Sequence, residues 1–223
     1  MDLIQDFSDP STGLNFSRPS PEALAQALGA LGISHAHRVV IYSSGHVMWA
    51  TRAWWLLRYA GHDEAAVLDG GLQAWLEVDQ PVATDRPSLL PQTYQASPRP
   101  ELFVDKDDVA KSISAPEVCT INALSPAVYA GTGAMHYGRR GHIPGSLNLH
   151  YDALLDDGHF KSASALRDVL QAQGLLHAER VIAYCGGGIS ATVDAFVCGL
   201  LGQEAVAVYD GSMAEGCSMR RYL

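Results

Sequence analysis

The sequence has few basic residues. Lys and Arg total 15 against 24 Asp and Glu, for a net charge of −9 and a pI near 5.3. Phosphate backbones are held by clustered Lys and Arg, so nucleic-acid binding is a poor first reading. Long apolar runs are also lacking. None approaches the roughly 20 residues that a membrane-spanning helix needs. The start, MDLIQDFSDP, is acidic and has no apolar core of the kind a secretory leader carries. Cysteine is scarce: Cys119, Cys185, Cys198 and Cys217. They form no CxxC pair, and no HExxH occurs, which argues against a zinc site. Scattered thiols in an acidic chain fit a reducing cytoplasm better than a disulfide framework.

Apolar residues make up 48% of 223, enough to build real cores in one or two domains. Residues 81–100 (PVATDRPSLLPQTYQASPRP) hold five prolines. Proline fixes φ and removes a hydrogen-bond donor, so this run reads as an extended linker between 1–80 and 101–223.

The two parts repeat one another. In the first, Arg38–Tyr42 (RVVIY) reads as a buried strand, followed by a small-residue loop, a helix over Trp49–Ala60, a cap at Gly61 and the strand-turn AAVLDGG. In the second, Arg180–Tyr184 (RVIAY) is the strand, Cys185–Ser190 the loop, and about Ala191–Leu201 the helix. Gly202 caps it, and AVAVYDG follows. Tyr42 and Tyr184 are 142 residues apart; Asp69-Gly70 and Asp210-Gly211 are 141 apart. So regular an offset indicates duplication. Strand, helix, strand is a βαβ unit. The fold class is therefore α/β, with a mainly parallel sheet flanked by helices in each part. Further strands are expected at Glu117–Asn122 and Ser146–His150, and a helix at Ser164–Gln173.

The chemistry concentrates in YCGGGISAT, Tyr184–Thr192. A lone cysteine after a strand is often only a small buried hydrophobe. Here Gly186, Gly187 and Gly188 allow the backbone to turn its N–H groups inward, and the following helix aims its positive end at the same place. A cup of that kind favours a thiolate and also an anionic sulfur bonded to it, which suits a nucleophile with a covalent intermediate. A cysteine phosphatase would need an arginine six residues after the cysteine, where Ala191 stands. A Walker-type loop would need Gly-Lys-Ser/Thr, which is absent.

Three segments together carry a family resemblance: the Cys185-Gly-Gly-Gly-Ile-Ser-Ala191 loop, the Gly141-His-Ile-Pro-Gly-Ser146 run and the Asp210-Gly-Ser212 turn. In order and spacing they resemble tandem rhodaneses, the thiosulfate or 3-mercaptopyruvate sulfurtransferases. The resemblance implies two rhodanese-like domains: an inactive, partial one at 1–80 and a catalytic one at 101–223. Ser43 opposite Cys185 fits that division. It also implies a Cys185 persulfide held by loop N–H groups from Gly186, Gly187, Gly188, Ile189, Ser190 and Ala191. No metal or organic cofactor is implied. The partners would be a small sulfur donor and a cyanide, thiol or protein-thiol acceptor.

The uncharged loop leans towards mercaptopyruvate as donor, although Gly187 replaces the serine linked to that chemistry. Val128 stands near the place of a carboxylate-binding arginine. Arg139 and Arg140 are candidates to supply replacement charge; the ordinary reading is a solvated surface pair. The first part has no counterpart of residues 117–146, and Gly216 replaces the tryptophan that Trp75 provides in the first copy. These departures keep open a catalytically degenerate binding or sulfur-carrier module, or a thiol-redox sensor. An open sheet edge predicts homo-oligomers or poor solubility; a sharp monomer in light scattering with a cooperative melt would count against that. Cys119 and Cys198 read as core, Cys217 as an incidental tail thiol. Trp49, Trp54 and Trp55 read as packing residues and His142 as a turn brace through Pro144. His46 carries no special signal.

Overall fold

The structure, a computed structural model, describes residues 2–85 and 87–216. Its first part opens with helix α1 (Pro21–Ala30), whose N-terminus is capped by the Ser20 hydroxyl accepting from the Ala23 N–H. Strand β1 (Val39–Ile41), helix α2 (Met48–Tyr59), strand β2 (Ala65–Val67) and helix α3 (Gly71–Glu77) follow, with β1 and β2 paired in parallel. The second part contains β3 (Phe103–Val104), α4 (Lys106–Ser112), β4 (Val118–Asn122), α5 (Pro126–Tyr129) and β5 (Leu147–Asn148). It continues with a small hairpin of β6 (Leu155–Asp156) and β7 (His159–Phe160), then α6 (Ala163–Ala172), β8 (Arg180–Tyr184), α7 (Ala191–Leu200), β9 (Val206–Tyr209) and α8 (Ser212–Gly216). Its five-stranded sheet is parallel throughout, in the order β3-β9-β8-β4-β5. The α/β architecture with parallel sheets is thus as the repeat pattern predicts. Glycines 61 and 202 follow α2 and α7 in the left-handed conformation that ends a helix.

One expectation needs correction. Strand β1 is not buried: Val40 is 63% and Tyr42 58% exposed, while Ile41 turns inward. The first-part sheet has two strands among the described residues, and the side chains of Val40 and of Tyr42 just after β1 face solvent. An apolar run therefore misreports burial here, because burial needs a covering element as well as an apolar side chain.

The described residues of the Pro-rich run form no helix or strand before Pro100, and the run is bound to the first part of the chain. The Gln92 N–H donates to Gly29 O, Ser97 N–H to Ala60 O and Arg99 N–H to Tyr59 O, while the Tyr94 ring is buried. Arg99 adds a forked ion pair to Asp63.

The two parts pack through their duplicated helices. Thr51 on α2 and Thr192 on α7, 141 residues apart, share a buried 2.8 Å hydroxyl contact. Equivalent backbone bonds recur around it: Leu72 N–H to Ser43 O, and Met213 N–H to Cys185 O. The repeat is therefore a pseudo-two-fold arrangement, with matching residues meeting near its axis. Trp55 is core, its indole N–H donating to Leu102 O at 3.0 Å, and Trp54 packs edge-on against Phe196 of α7. This layout places the N-terminus of α7, with Cys185 before it, against the first part of the chain.

Candidate active site

Strand β8 is apolar and central, and it delivers Cys185 to the carboxyl end of the parallel sheet. Ligands gather at that end in open α/β folds, because the helices that follow point their N-termini there. Cys185 is 2% exposed. The Gly188 N–H donates to its Sγ at 3.1 Å, so the chain loops back over its own thiol. That return requires Gly188, whose φ is +81° and whose added Cβ would lie 2.6 Å from the Asp210 carbonyl oxygen. Gly186 is needed for another reason: a Cβ there would run into the Tyr137 ring, which lies across the loop. The Gly187 and Ile189 N–H groups meet no protein acceptor among the described residues. Ser190 is the N-cap residue of α7, and Ala191 its first residue. Of the loop residues singled out in the sequence, Gly188 is the one whose N–H reaches the sulfur among the described residues.

Around this loop stands a second layer. Ser212, in the turn after β9, accepts the Cys185 N–H at 3.1 Å and has its Oγ 4.0 Å from Sγ. Ser212 holds a φ of +48°, unusual for a side chain with a Cβ, and its hydroxyl donates to Tyr209 O. The Ala214 N–H donates to Gly186 O. Below the loop the Tyr184 hydroxyl takes the Ile143 N–H and contacts the Ser146 hydroxyl, tying the GHIPGS run to β8. His142 braces that run through the Tyr129 carbonyl (2.9 Å) and by stacking on the Tyr129 ring, so Tyr129 and not Pro144 is its partner.

The thiol opens to a cleft of about 510 Å³ formed by both parts of the chain. Phe16, Met48 and Trp49 come from the first part; Tyr137, His150 and Tyr151 face them from the second. Trp49, expected to pack in a core or between the domains, is 38% exposed and lines the cleft, where its ring tilts against Phe16. Val128 is among the lining residues, and no arginine or lysine is, among the described residues. Arg139 and Arg140 lie outside the cleft lining, and the Arg140 guanidinium donates to the Gly131 and Gly133 carbonyls. Burial holds the His150 imidazole below its usual range, which favours its neutral form, and raises the Tyr137 and Tyr151 phenols. Phe16, Trp49, Tyr137 and Tyr151 were not legible as site residues, because each comes to the cleft from a separate segment.

Other thiols stand apart. Cys198 is fully buried in α7, and burial pushes its thiol far up; Cys119 is half-buried and also raised. Cys119, Cys185 and Cys198 are all free; Cys217 and the segment after it lie outside the described residues, whereas Gly216 is the last residue of α8. No group of three or more His, Cys, Asp or Glu could hold a metal ion among the described residues. Among the described residues no helix is long and apolar enough to cross a membrane.

Asp194 is an unexpected member of the neighbourhood. It is completely buried on α7 and neither carboxylate oxygen has a partner. Burial raises its carboxyl well above the usual range, and negative charge at Cys185 adds to the shift. The folded chain therefore keeps this proton when the unfolded chain, titrating near 3.8, has lost it. A raised carboxyl lowers stability as pH climbs through that window. Asp194→Asn should flatten the fall in melting temperature from about pH 5 to about pH 8. An unchanged slope would mean that Asp194 does not titrate this way.

The sequence profile of the rhodanese-like domain matches residues 10–78 and 106–218. The 3-mercaptopyruvate sulfurtransferase of Escherichia coli K12 is 30% identical over 220 residues, covering 95% of this chain and 76% of that protein. A putative thiosulfate sulfurtransferase of Haloferax volcanii is 35% identical over 203 residues, 87% of this chain and 71% of that one. The crystal structure of SseA from Escherichia coli, described with the rhodanese fold and mechanism of 3-mercaptopyruvate sulfotransferases, superposes with a TM-score of 0.84. It is 30% identical and covers 95% of this chain and 80% of that one. With two matched segments spanning most of its length, the chain belongs to the rhodanese family.

Proposed function

We propose that this protein is a sulfurtransferase that works through a persulfide on Cys185. The observation that carries the reading is the Gly188 N–H on Cys185 Sγ, at the N-terminus of α7 and at the floor of a cleft. The Cys185 thiolate attacks the sulfane sulfur of the donor. A new S–S bond forms, and the donor's S–S bond (thiosulfate) or C–S bond (3-mercaptopyruvate) breaks. Sulfite leaves in the first case. In the second, pyruvate leaves once its carbon has taken the proton of the donor thiol. The outer sulfur then bears the negative charge, and in this reading the Gly187 and Ile189 N–H groups, which have no protein acceptor among the described residues, hold it. A cyanide, a small thiol or a protein thiol takes that sulfur and returns Cys185 to the thiolate.

Among donors, 3-mercaptopyruvate suits the cleft better than the thiosulfate dianion, because no arginine or lysine lines it. If Arg139 and Arg140 assist the donor, they act from the rim. A cytoplasmic setting accords with the free thiols. Self-association through the edge of the two-stranded β1-β2 sheet is the oligomer that the chain would form.

Steady-state kinetics test the scheme. With donor and acceptor varied together, a persulfide enzyme gives parallel double-reciprocal lines, and 3-mercaptopyruvate is expected to give the higher kcat/KM. Intersecting lines would show that donor and acceptor meet on the enzyme without a sulfur-loaded intermediate.

A further inference from the structure

We infer that Arg52, from the first part of the chain, is a positioning residue for the persulfide loop, and that the part without a nucleophile contributes to catalysis through it. This rests on Cys185 carrying the sulfur. Arg52 lies on α2 and is 1% exposed, among the largest fully buried side chains. Its guanidinium makes three contacts with three separate segments. Nη1 donates to Gly188 O at 3.2 Å. Nη2 donates to the Phe16 carbonyl and to Asp210 Oδ1, the latter at 2.8 Å. Asp210 completes the knot by accepting the Arg18 N–H at 2.6 Å.

Each contact bears on the site. Gly188 is the residue whose N–H reaches Cys185 Sγ. A trans peptide points its C=O and the following N–H in opposite directions. Holding Gly188 O towards Arg52 therefore turns the Ile189 N–H away from the guanidinium, and that N–H meets no protein acceptor among the described residues. Phe16 is a wall of the cleft, its ring 3.8 Å from where a Gly187 Cβ would be. Asp210 precedes the turn that carries Ser212. One planar fork thus fixes the loop, a cleft wall and the supporting turn together. A lysine cannot repeat this, because a single ammonium lacks the planar spread of donors. The buried charge is compensated by Asp210, so the pair can be retained for geometry rather than for stability.

The test uses the full-length protein with Arg52→Gln, Arg52→Lys and, as a control on the same helix, Thr51→Val. Thr51→Val breaks the contact with Thr192, whose hydroxyl also donates to Ile189 O, but it leaves all three guanidinium contacts of Arg52 in place. Two readouts are taken on folded samples: single-turnover sulfur loading from donor, and the pH dependence of Cys185 alkylation. Arg52→Gln should slow loading by about 100-fold and move the alkylation midpoint up by about one pH unit. Arg52→Lys, which keeps the charge, should stay folded and still lose about 10-fold. Thr51→Val should melt earlier and lose less than about 3-fold in loading, because the Arg52 fork still holds Gly188 O. Wild-type loading rate and pH midpoint in both Arg52 variants would overturn the inference. A loss in Thr51→Val equal to that in the Arg52 variants would overturn it too, by reducing the effect to destabilisation. Failure of the wild type itself to load sulfur would instead defeat the persulfide reading.

Discussion

Cys185→Ser is expected to abolish sulfur transfer, with a fall in kcat/KM on the order of 10⁴-fold or more. A serine hydroxyl is the nearest isostere of the thiol, and the 2% exposure of the site leaves little room for rearrangement. At neutral pH, however, a hydroxyl has no appreciable anionic fraction, and it forms no stable bond to sulfane sulfur. Donor binding should survive, because the cleft walls and loop N–H groups are untouched. Competition by the variant for labelled donor would show this. Residual turnover above about 1% of wild type would point to another nucleophile. Among the described residues Cys198 is a poor substitute, since burial raises its thiol far above the usual range.

Gly188→Ala is the second large effect. At φ +81° an alanine pays about 1–2 kcal/mol of backbone strain, and its Cβ would lie 2.6 Å from the Asp210 carbonyl oxygen. Backbone meets methyl here, so neither side can yield by changing a rotamer. The loop must open, and the N–H on Cys185 Sγ and the Arg52 contact to Gly188 O are lost with it. Removing such a donor costs about 10²–10³ in turnover in comparable sites. The fold beyond the loop should remain. The expected result is therefore kcat down by that factor, with far-ultraviolet circular dichroism unchanged. Wild-type kcat would show that the loop N–H groups are not the persulfide cradle.

What was legible in the sequence was local and repeated. The strand, loop and helix around Cys185 could be read because apolar period, glycine run and cap coincide, and because the first copy repeats them. The parallel sheet followed from the same βαβ spacing. The helix at Ala163–Ala172 could be read for another reason: Leu166 and Leu170, one turn apart, form its buried stripe. Contacts made at long range were not legible. Arg52 sits in MWATRAWWLLRY as an ordinary helix residue. Nothing local says that Gly188, Phe16 and Asp210 surround it. Trp49 and Phe16 became cleft walls only when the two copies packed. Strand β1 shows the converse limit: its residues are apolar enough for a core, but no element covers Val40 and Tyr42.

The central claim is that Cys185 carries sulfur between donor and acceptor. Intact-protein mass spectrometry tests it most directly. Wild type and Cys185→Ser would be incubated with excess 3-mercaptopyruvate and, separately, with thiosulfate, then treated with cyanide. The account predicts a gain of one sulfur atom in wild type, absent from the variant, mapped to the Cys185 peptide and removed by cyanide. Folded wild-type protein that gains no sulfur from either donor, or an adduct that persists in Cys185→Ser, would contradict it.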